Sequence, residues 1–255
     1  MISIKSRDDV RSMREAGRIV GQTLELLSKM AVPGVTTLEM DAEARKFIES
    51  KGAKPSFLNY NGFPNSVCVS VNHEVVHGIP SGYKLKSGDI VSCDVGAYLN
   101  GWHGDAARTF PVGQVDPEVL KLVRVTKECF YEALKYARPG YRISDISKAV
   151  QAHAEAHGYG VVRDLIGHGV GRELHEKPDV PNFYDPRNGK GPRLEPGMTI
   201  AIEPMINMGT YKVWLENNGW TIVTRDEKPS AHYENTIAIT EGDPLILTAA
   251  EDTEC

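Results

Sequence analysis

Two of the three Pro-Gly dipeptides in this chain, Pro33-Gly34 and Pro139-Gly140, break helical runs, and the glycines Gly52 and Gly158 follow them. Each pair lies 106 positions apart. Before Pro33, Val10, Met13, Ile19, Val20, Leu24 and Leu27 recur at a rough helical period, and Ser6 and Asp9 form a helix-start signal. After it, Thr36 and Glu39 make a capping box for a second helix that runs to about Lys51 and stops at Gly52. The second copy opens at Asp116-Pro117-Glu118, with Asp as N-cap and Pro in the first helical position. It runs to about Ala137, breaks at Pro139-Gly140, and its next helix reaches His157. Helix, Pro-Gly, helix, Gly and strands therefore occur twice. This predicts one domain over 1–255, built as two α+β halves of about 1–113 and 114–255, with a site between them.

The strands carry the chemistry. Val67, Val69 and Val71 alternate, and the stretch 89–110 reads as two strands joined at Asn100-Gly101, a strong hairpin signal. Val91, Cys93 and Val95 alternate with Ser92 and Asp94, so Asp94 points away from the apolar face. With the turn centred near 100, Asp94 and Asp105 come close on one face if a bulge adjusts the register. Two such aspartates share a proton, share a cation, or stand as solvated hairpin residues. Further on, strands are expected at Met198–Pro204, Trp220–Arg225 and Tyr233–Thr240, and a polar loop at Tyr184–Arg193. His168 sits between glycines, Glu203 ends an apolar strand, and Glu234 enters another. A histidine in a glycine-rich turn is more often structural than ligating. A glutamate on an apolar strand is seldom buried without a partner.

Composition removes several classes. With 255 residues, 41% apolar and 25% charged, the chain has ample length for a large core. A formal net charge of −5 argues against nucleic acid as a required partner. The first residues contain no apolar run, and no run reaches membrane-span length, which predicts no secretory signal and no membrane partner. Cys68, Cys93, Cys129 and Cys255 are scattered, as reduced cytosolic thiols are.

The stretches VCVSVNHEVVHGIP (67–80), DIVSCDVGAYLNGWHGDAARTFPVG (89–113), GHGVGRELHE (167–176), EPGMTIAIEPM (195–205) and the glutamate of HYENTIAIT (232–240) resemble the type I methionine aminopeptidases. The resemblance covers essentially the whole chain. It implies the α+β "pita-bread" fold shared with prolidase, aminopeptidase P and creatinase, with duplicated halves around a central antiparallel sheet. It also implies that Asp94, Asp105, His168, Glu203 and Glu234 hold two divalent metal ions. The oxygen-rich set suits Mn, Fe or Co, with Zn also compatible. The implied reaction is hydrolysis of the first peptide bond of a nascent polypeptide by a hydroxide on the metal pair, releasing N-terminal methionine when the second residue is small. Glu203 is then also a proton shuttle. His77 and His175 contact the substrate amide and the tetrahedral intermediate. Tyr60, Phe63, Cys68, His77, His175 and Trp220 match substrate-binding positions. Leu174 stands where several members have an aromatic residue, and Phe63 where some have tyrosine. A cytoplasmic monomer is implied, and ribosome contact is left open.

Type I rather than type II follows from the 31 positions between Glu203 and Glu234, an interval in which type II enzymes carry an insertion. Xaa-Pro aminopeptidase or prolidase activity, and an inactive binding protein on the same fold, are the alternatives. His73-Glu74-Val75-Val76-His77 matches the H-E-x-x-H zinc motif, but three alternating valines before it argue against the helix that motif needs. His153 and His157 share a helix face at i, i+4 with no third ligand evident in the sequence, which reads as an exposed face.

Overall fold

The computed structural model describes residues 1–251, so Cys255 lies outside the described residues. Helix α1 spans Arg7–Met30, and α2 spans Thr37–Ser50. Both begin with reciprocal capping boxes, Ser6 with Asp9 and Thr36 with Glu39, which satisfy backbone N–H groups that the first turn leaves free. Strands β1 (Lys54–Pro55), β2 (Cys68–Val71) and β3 (Glu74–Val76) follow, and then the long hairpin of β4 (Ile90–Leu99) and β5 (Trp102–Pro111). Asn100 and Gly101 both take positive φ, 51° and 86°, as a two-residue turn between twisted strands requires.

The second half repeats the plan. Helix α3 is Pro117–Leu134 and α4 is Ile143–Ala156. The former stops three residues before the expected Ala137. Its last turn tightens, with the N–H groups of Tyr136 and Ala137 donating to the carbonyls of Ala133 and Leu134. Strands β6 (Gly160–Val161), β7 (Gly167–Gly169), β8 (Glu176–Val180), β9 (Thr199–Ile202), β10 (Met205–Asn207), β11 (Val213–Leu215), β12 (Ile222–Thr224), β13 (Ser230–His232), β14 (Asn235–Ala238) and β15 (Leu245–Ile246) complete the order. Two expected strands form but are shorter: β9 lies inside Met198–Pro204 and β14 inside Tyr233–Thr240, while a further strand adjoins each, β10 just after Pro204 and β13 just before Tyr233, with Tyr233-Glu234 outside either strand. At these breaks the chain changes sheets. β10 and β13 pair with each other, whereas β9 and β14 pair within a five-stranded sheet ordered β15-β14-β9-β7-β8.

The two largest apolar cores follow the two halves. One gathers Ile19, Leu24 and Leu27 of α1 with Val91, Cys93 and Val95 of β4, and the other gathers Cys129, Phe130, Ile146 and Val150 of α3 and α4 with Ile200 and Ile237. Helix α1 lies so close to the hairpin that a side chain on Gly104 would come within 2.8 Å of the Gly17 backbone, so glycine is required there. The back of the hairpin is thus sealed, and its other face is free for the site.

Candidate metal centre

Strand register assembles the site. Across the hairpin Asp94 faces Ala107 and Asp105 faces Gly96. Asp94 and Asp105 are therefore diagonal neighbours on one face of a regular ladder. No bulge is needed, because the two-residue turn Asn100-Gly101 sets a register one position from the one expected. Ala107 exchanges backbone hydrogen bonds with Glu234: the Glu234 N–H donates at 2.9 Å and the Ala107 N–H at 3.4 Å. This contact joins the two halves. Asn235 faces Ile202, and continuing that register by one residue sets Glu234 opposite Glu203. Cys68 faces Asp94 on the other side. A row through Cys68, Asp94, Ala107, Glu234 and Glu203 thus crosses the molecule, with Asp105 and His168 beside it. Thr236 locks the junction, its Oγ1 accepting from the Asp105 N–H at 3.0 Å and donating to the Asp105 carbonyl at 2.8 Å.

These side chains converge on a cavity of about 330 Å³, lined by Asp94, Asp105, His168, Glu203 and Glu234 and by Tyr60, Phe63, Cys68, His77, His175 and Trp220. A larger groove of about 800 Å³ lies elsewhere, over Ser144, Phe183 and Tyr184, and contains none of these residues. His168 Nε2 stands 3.8 Å from both Asp105 Oδ2 and Glu203 Oε1. Burial raises the Asp94 carboxyl to about 7. Burial, with the charges of neighbouring carboxylates, holds Asp105, Glu203 and Glu234 well above their ordinary range. Burial also lowers His168 to about 3, so its imidazole is neutral and able to ligate. Among the described residues, Asp94 Oδ1, Asp105 Oδ1 and Glu234 Oε1 are buried without a hydrogen-bond partner. Buried carboxylate oxygens rarely lack partners. Arg108 is buried nearby, but its guanidinium donates to the Glu234 carbonyl and to Asn235 Oδ1 and stacks on Tyr233, so it binds the backbone rather than the carboxylates. Four convergent carboxylates, one neutral imidazole and orphaned oxygens fit divalent cations.

The apolar side of the cavity is a cluster of Phe57, Phe63, Cys68 and Leu174 with Tyr60, Ile79 and Trp220 against it. Phe63 and Trp220 meet edge to face at 5.2 Å. His175 stacks near His168, ring centres 4.1 Å apart, and its Nδ1 lies 2.8 Å from the Tyr60 hydroxyl. Burial lowers both His77 and His175. His77 takes φ +57° just after β3, so the H-E-x-x-H stretch is a strand and turn, not a helix.

One residue of the centre escaped the sequence reading. His232 is buried, with its Nε2 unpartnered among the described residues and 3.8 Å from both Glu203 Oε2 and Glu234 Oε2. The period-2 rule was the available signal, since residues 232 and 234 fall on the same side of an extended chain.

The fold and the carboxylate-rich centre fit the class of metal-dependent hydrolases. The sequence profile of metallopeptidase family M24 matches residues 11–241. A methionine aminopeptidase of Clostridium acetobutylicum is 52% identical over 252 residues, 98% of this chain and 100% of the relative. Methionine aminopeptidase 1 of Bacillus subtilis is 53% identical over 248 residues, 97% and 99% of the two chains. The crystal structure of methionine aminopeptidase from Rickettsia prowazekii superposes with a TM-score of 0.94 at 43% identity, covering 97% of this chain and all of that one. The chain belongs to metallopeptidase family M24, in its methionine aminopeptidase branch, and has the pita-bread fold.

Proposed function

We propose that this enzyme removes N-terminal methionine from nascent polypeptides with a small second residue, acting as a cytoplasmic monomer. Residues 1–255 would work as one catalytic unit, with 1–113 and 114–255 contributing its two sides. The observation that carries this reading is the junction of a five-donor centre with an apolar slot. Asp94, Asp105, His168, Glu203 and Glu234 would hold two divalent ions, of which Mn, Fe, Co and Zn suit the donors. When bound, the ions supply Lewis acidity and a water acidic enough to ionise near neutral pH.

The chain's own residues do the rest. Phe63, Cys68, Trp220 and Tyr60 offer an unbranched thioether a flexible apolar fit. His77 and His175 face the cavity as hydrogen-bond groups for the scissile amide and for the oxygen that gains charge. The Tyr60 hydroxyl can donate to His175 Nδ1, which leaves Nε2–H as a donor toward the cavity. Glu203 sits where a carboxylate can carry a proton from water to the leaving amine. Among the described residues no helix is long and apolar enough to cross a membrane.

The test uses metal-stripped protein reloaded separately with Mn(II), Fe(II), Co(II) or Zn(II). Methionine release from Met-Ala-Ser is followed by mass spectrometry, with the N-acetylated peptide and an Xaa-Pro peptide as controls. Metal-dependent release from the free peptide alone is the expected result. Cleavage of only the Xaa-Pro peptide, or of none with folded protein, would overturn the proposal.

A further inference from the structure

His153 and His157 are not needed by the reaction, and neither lines the central cavity. They stand one turn apart on α4, with ring centres 4.8 Å apart. The sequence offers them no third partner, but packing of α3 against α4 supplies one. Glu128 Oε2 comes within 3.1 Å of His153 Nε2. One donor atom from each of Glu128, His153 and His157 lies within 4.8 Å of the others. We propose that these three residues form a second metal site on the outer surface, taking an imidazole-seeking divalent ion, Zn(II) in the first instance, and tying α3 to α4.

Three features favour an ion over a solvated helix face. The first is tautomer control. His157 Nδ1 lies 2.9 Å from the His153 carbonyl oxygen, which only accepts. The ring proton therefore sits on Nδ1, and Nε2 keeps its lone pair for a ligand. A backbone carbonyl on the far nitrogen is the usual partner of a metal-bound histidine. The second is orientation. Arg124 approaches Glu128 Oε1 at 3.5 Å and so holds the carboxylate with its other oxygen, Oε2, toward His153. The third is rigidity. Cys129, Phe130 and Ala133 of α3 and Ile146, Val150 and Ala154 of α4 share one buried core, so the three backbone positions are fixed before any ion arrives. With bonds of about 2.0–2.1 Å, tetrahedral donors lie roughly 3.3–3.5 Å apart. The donors, now within 4.8 Å of one another, draw in to that spacing when the ion binds. On binding, the His153 proton now shared with Glu128 moves to Nδ1, and Nε2 turns its lone pair to the ion. A water fills the fourth position.

The donor sets separate the two sites. The centre is dominated by four carboxylates, with His168 and His232 beside them, whereas the surface site offers two imidazoles and one carboxylate. Imidazole-rich sets favour Zn(II) and Cu(II), and Mn(II) prefers oxygen.

The test uses the Mn(II)-loaded enzyme, dialysed against graded ZnCl2, with bound Zn and Mn measured by elemental analysis. Exchange of Zn(II) into the centre is common to all variants and cancels. The wild type is expected to bind about one more Zn(II) per chain than the double variant His153→Ala/His157→Ala. Glu128→Gln should weaken that extra Zn(II) at least about ten-fold. Methionine release by all three Mn(II)-loaded proteins should be the same, which also shows that the variants are folded. A thermal scan adds a second readout, because Zn(II) should raise the wild-type midpoint more than that of the double variant. Equal Zn(II) content in wild type and double variant would overturn the site. An extra Zn(II) that Glu128→Gln leaves undisturbed would overturn the three-donor assignment.

Discussion

Asp94 and Asp105 stand diagonally across the β4–β5 ladder on one face, and neither Oδ1 finds a hydrogen-bond partner among the described residues. Such an arrangement is built for cations and is strained without them. Asp94→Asn removes one charge from the cluster and keeps the shape. Methionine release in saturating Mn(II) should fall by about 100-fold or more, the scale on which lost transition-state stabilisation of a few kcal/mol appears. The metal-free variant should unfold at a higher temperature than the metal-free wild type, because like charges have been relieved. A methionine-release assay and a thermal scan check the two. Wild-type turnover in the variant would remove Asp94 from the centre.

Tyr60 and His175 make a separable pair. When the Tyr60 hydroxyl, 2.8 Å away, donates to Nδ1, the His175 ring proton stands on Nε2, toward the cavity. Tyr60→Phe leaves the ring in the apolar cluster but frees the tautomer. We expect kcat to drop about ten-fold with a smaller change in KM, as for one misaligned general acid–base or donor group. Steady-state kinetics on Met-Ala-Ser separates this from a packing defect, which would move KM and the thermal midpoint together.

How much of this was legible in the sequence follows from distance along the chain. The hairpin was readable because Asn100-Gly101 and the Val91-Cys93-Val95 alternation are local signals. The helix starts were readable because Ser6, Thr36 and Asp116 cap within three residues. The lateral contact of Ala107 with Glu234 was not, since it joins strands more than a hundred residues apart and no local pattern encodes which edges meet. The strands β10 and β13, which adjoin the expected ones beyond Glu203 and Glu234, were hidden for the same reason, because a change of sheet depends on partners. The five centre residues could be named from the motifs around them, whereas the position of His232 depends on how β13 lies against β10. Glu128 became a neighbour of His153 only through helix packing.

Lys5 and Glu176 tie the N-terminal segment to the loop that carries His175. Their charged atoms are 2.5 Å apart, with side chains only 2% and 14% exposed. Glu176 Oε1 also accepts from the N–H groups of Arg172 and Glu173. Lys5→Met leaves that carboxylate buried without its cation, which should cost about 2–3 kcal/mol of stability, less than full burial would because Glu176 keeps some solvent. Urea unfolding measures it. The same variant should lose activity in step with loosening of the loop at 171–176, and a Lys5→Arg variant should recover most of both.

Glu74 gives a pH dependence away from the metal ligands. Burial raises its carboxyl above the ordinary value of 4.5, with the nearby Glu216 charge adding to this, although the Val71 N–H bond at 2.7 Å and His73 oppose the shift. A carboxyl raised in the folded state takes up its proton more readily there than in the unfolded chain. Its contribution to stability is therefore present below pH 4.5 and is lost as pH rises through the folded value. Glu74→Gln keeps an acceptor for Val71 and cannot ionise. The variant should match the wild type near pH 4 and gain on it as pH rises toward 7. The gain should be about 2 °C in thermal midpoint for each kcal/mol relieved in a chain of this size. Metal-free protein, scanned across this range with both variants side by side, isolates the effect because the histidines and the centre are common to both. A difference that stays flat with pH would show that Glu74 ionises equally easily folded and unfolded, and one that grows as pH falls would show that its carboxylate is favoured in the fold; either overturns the prediction.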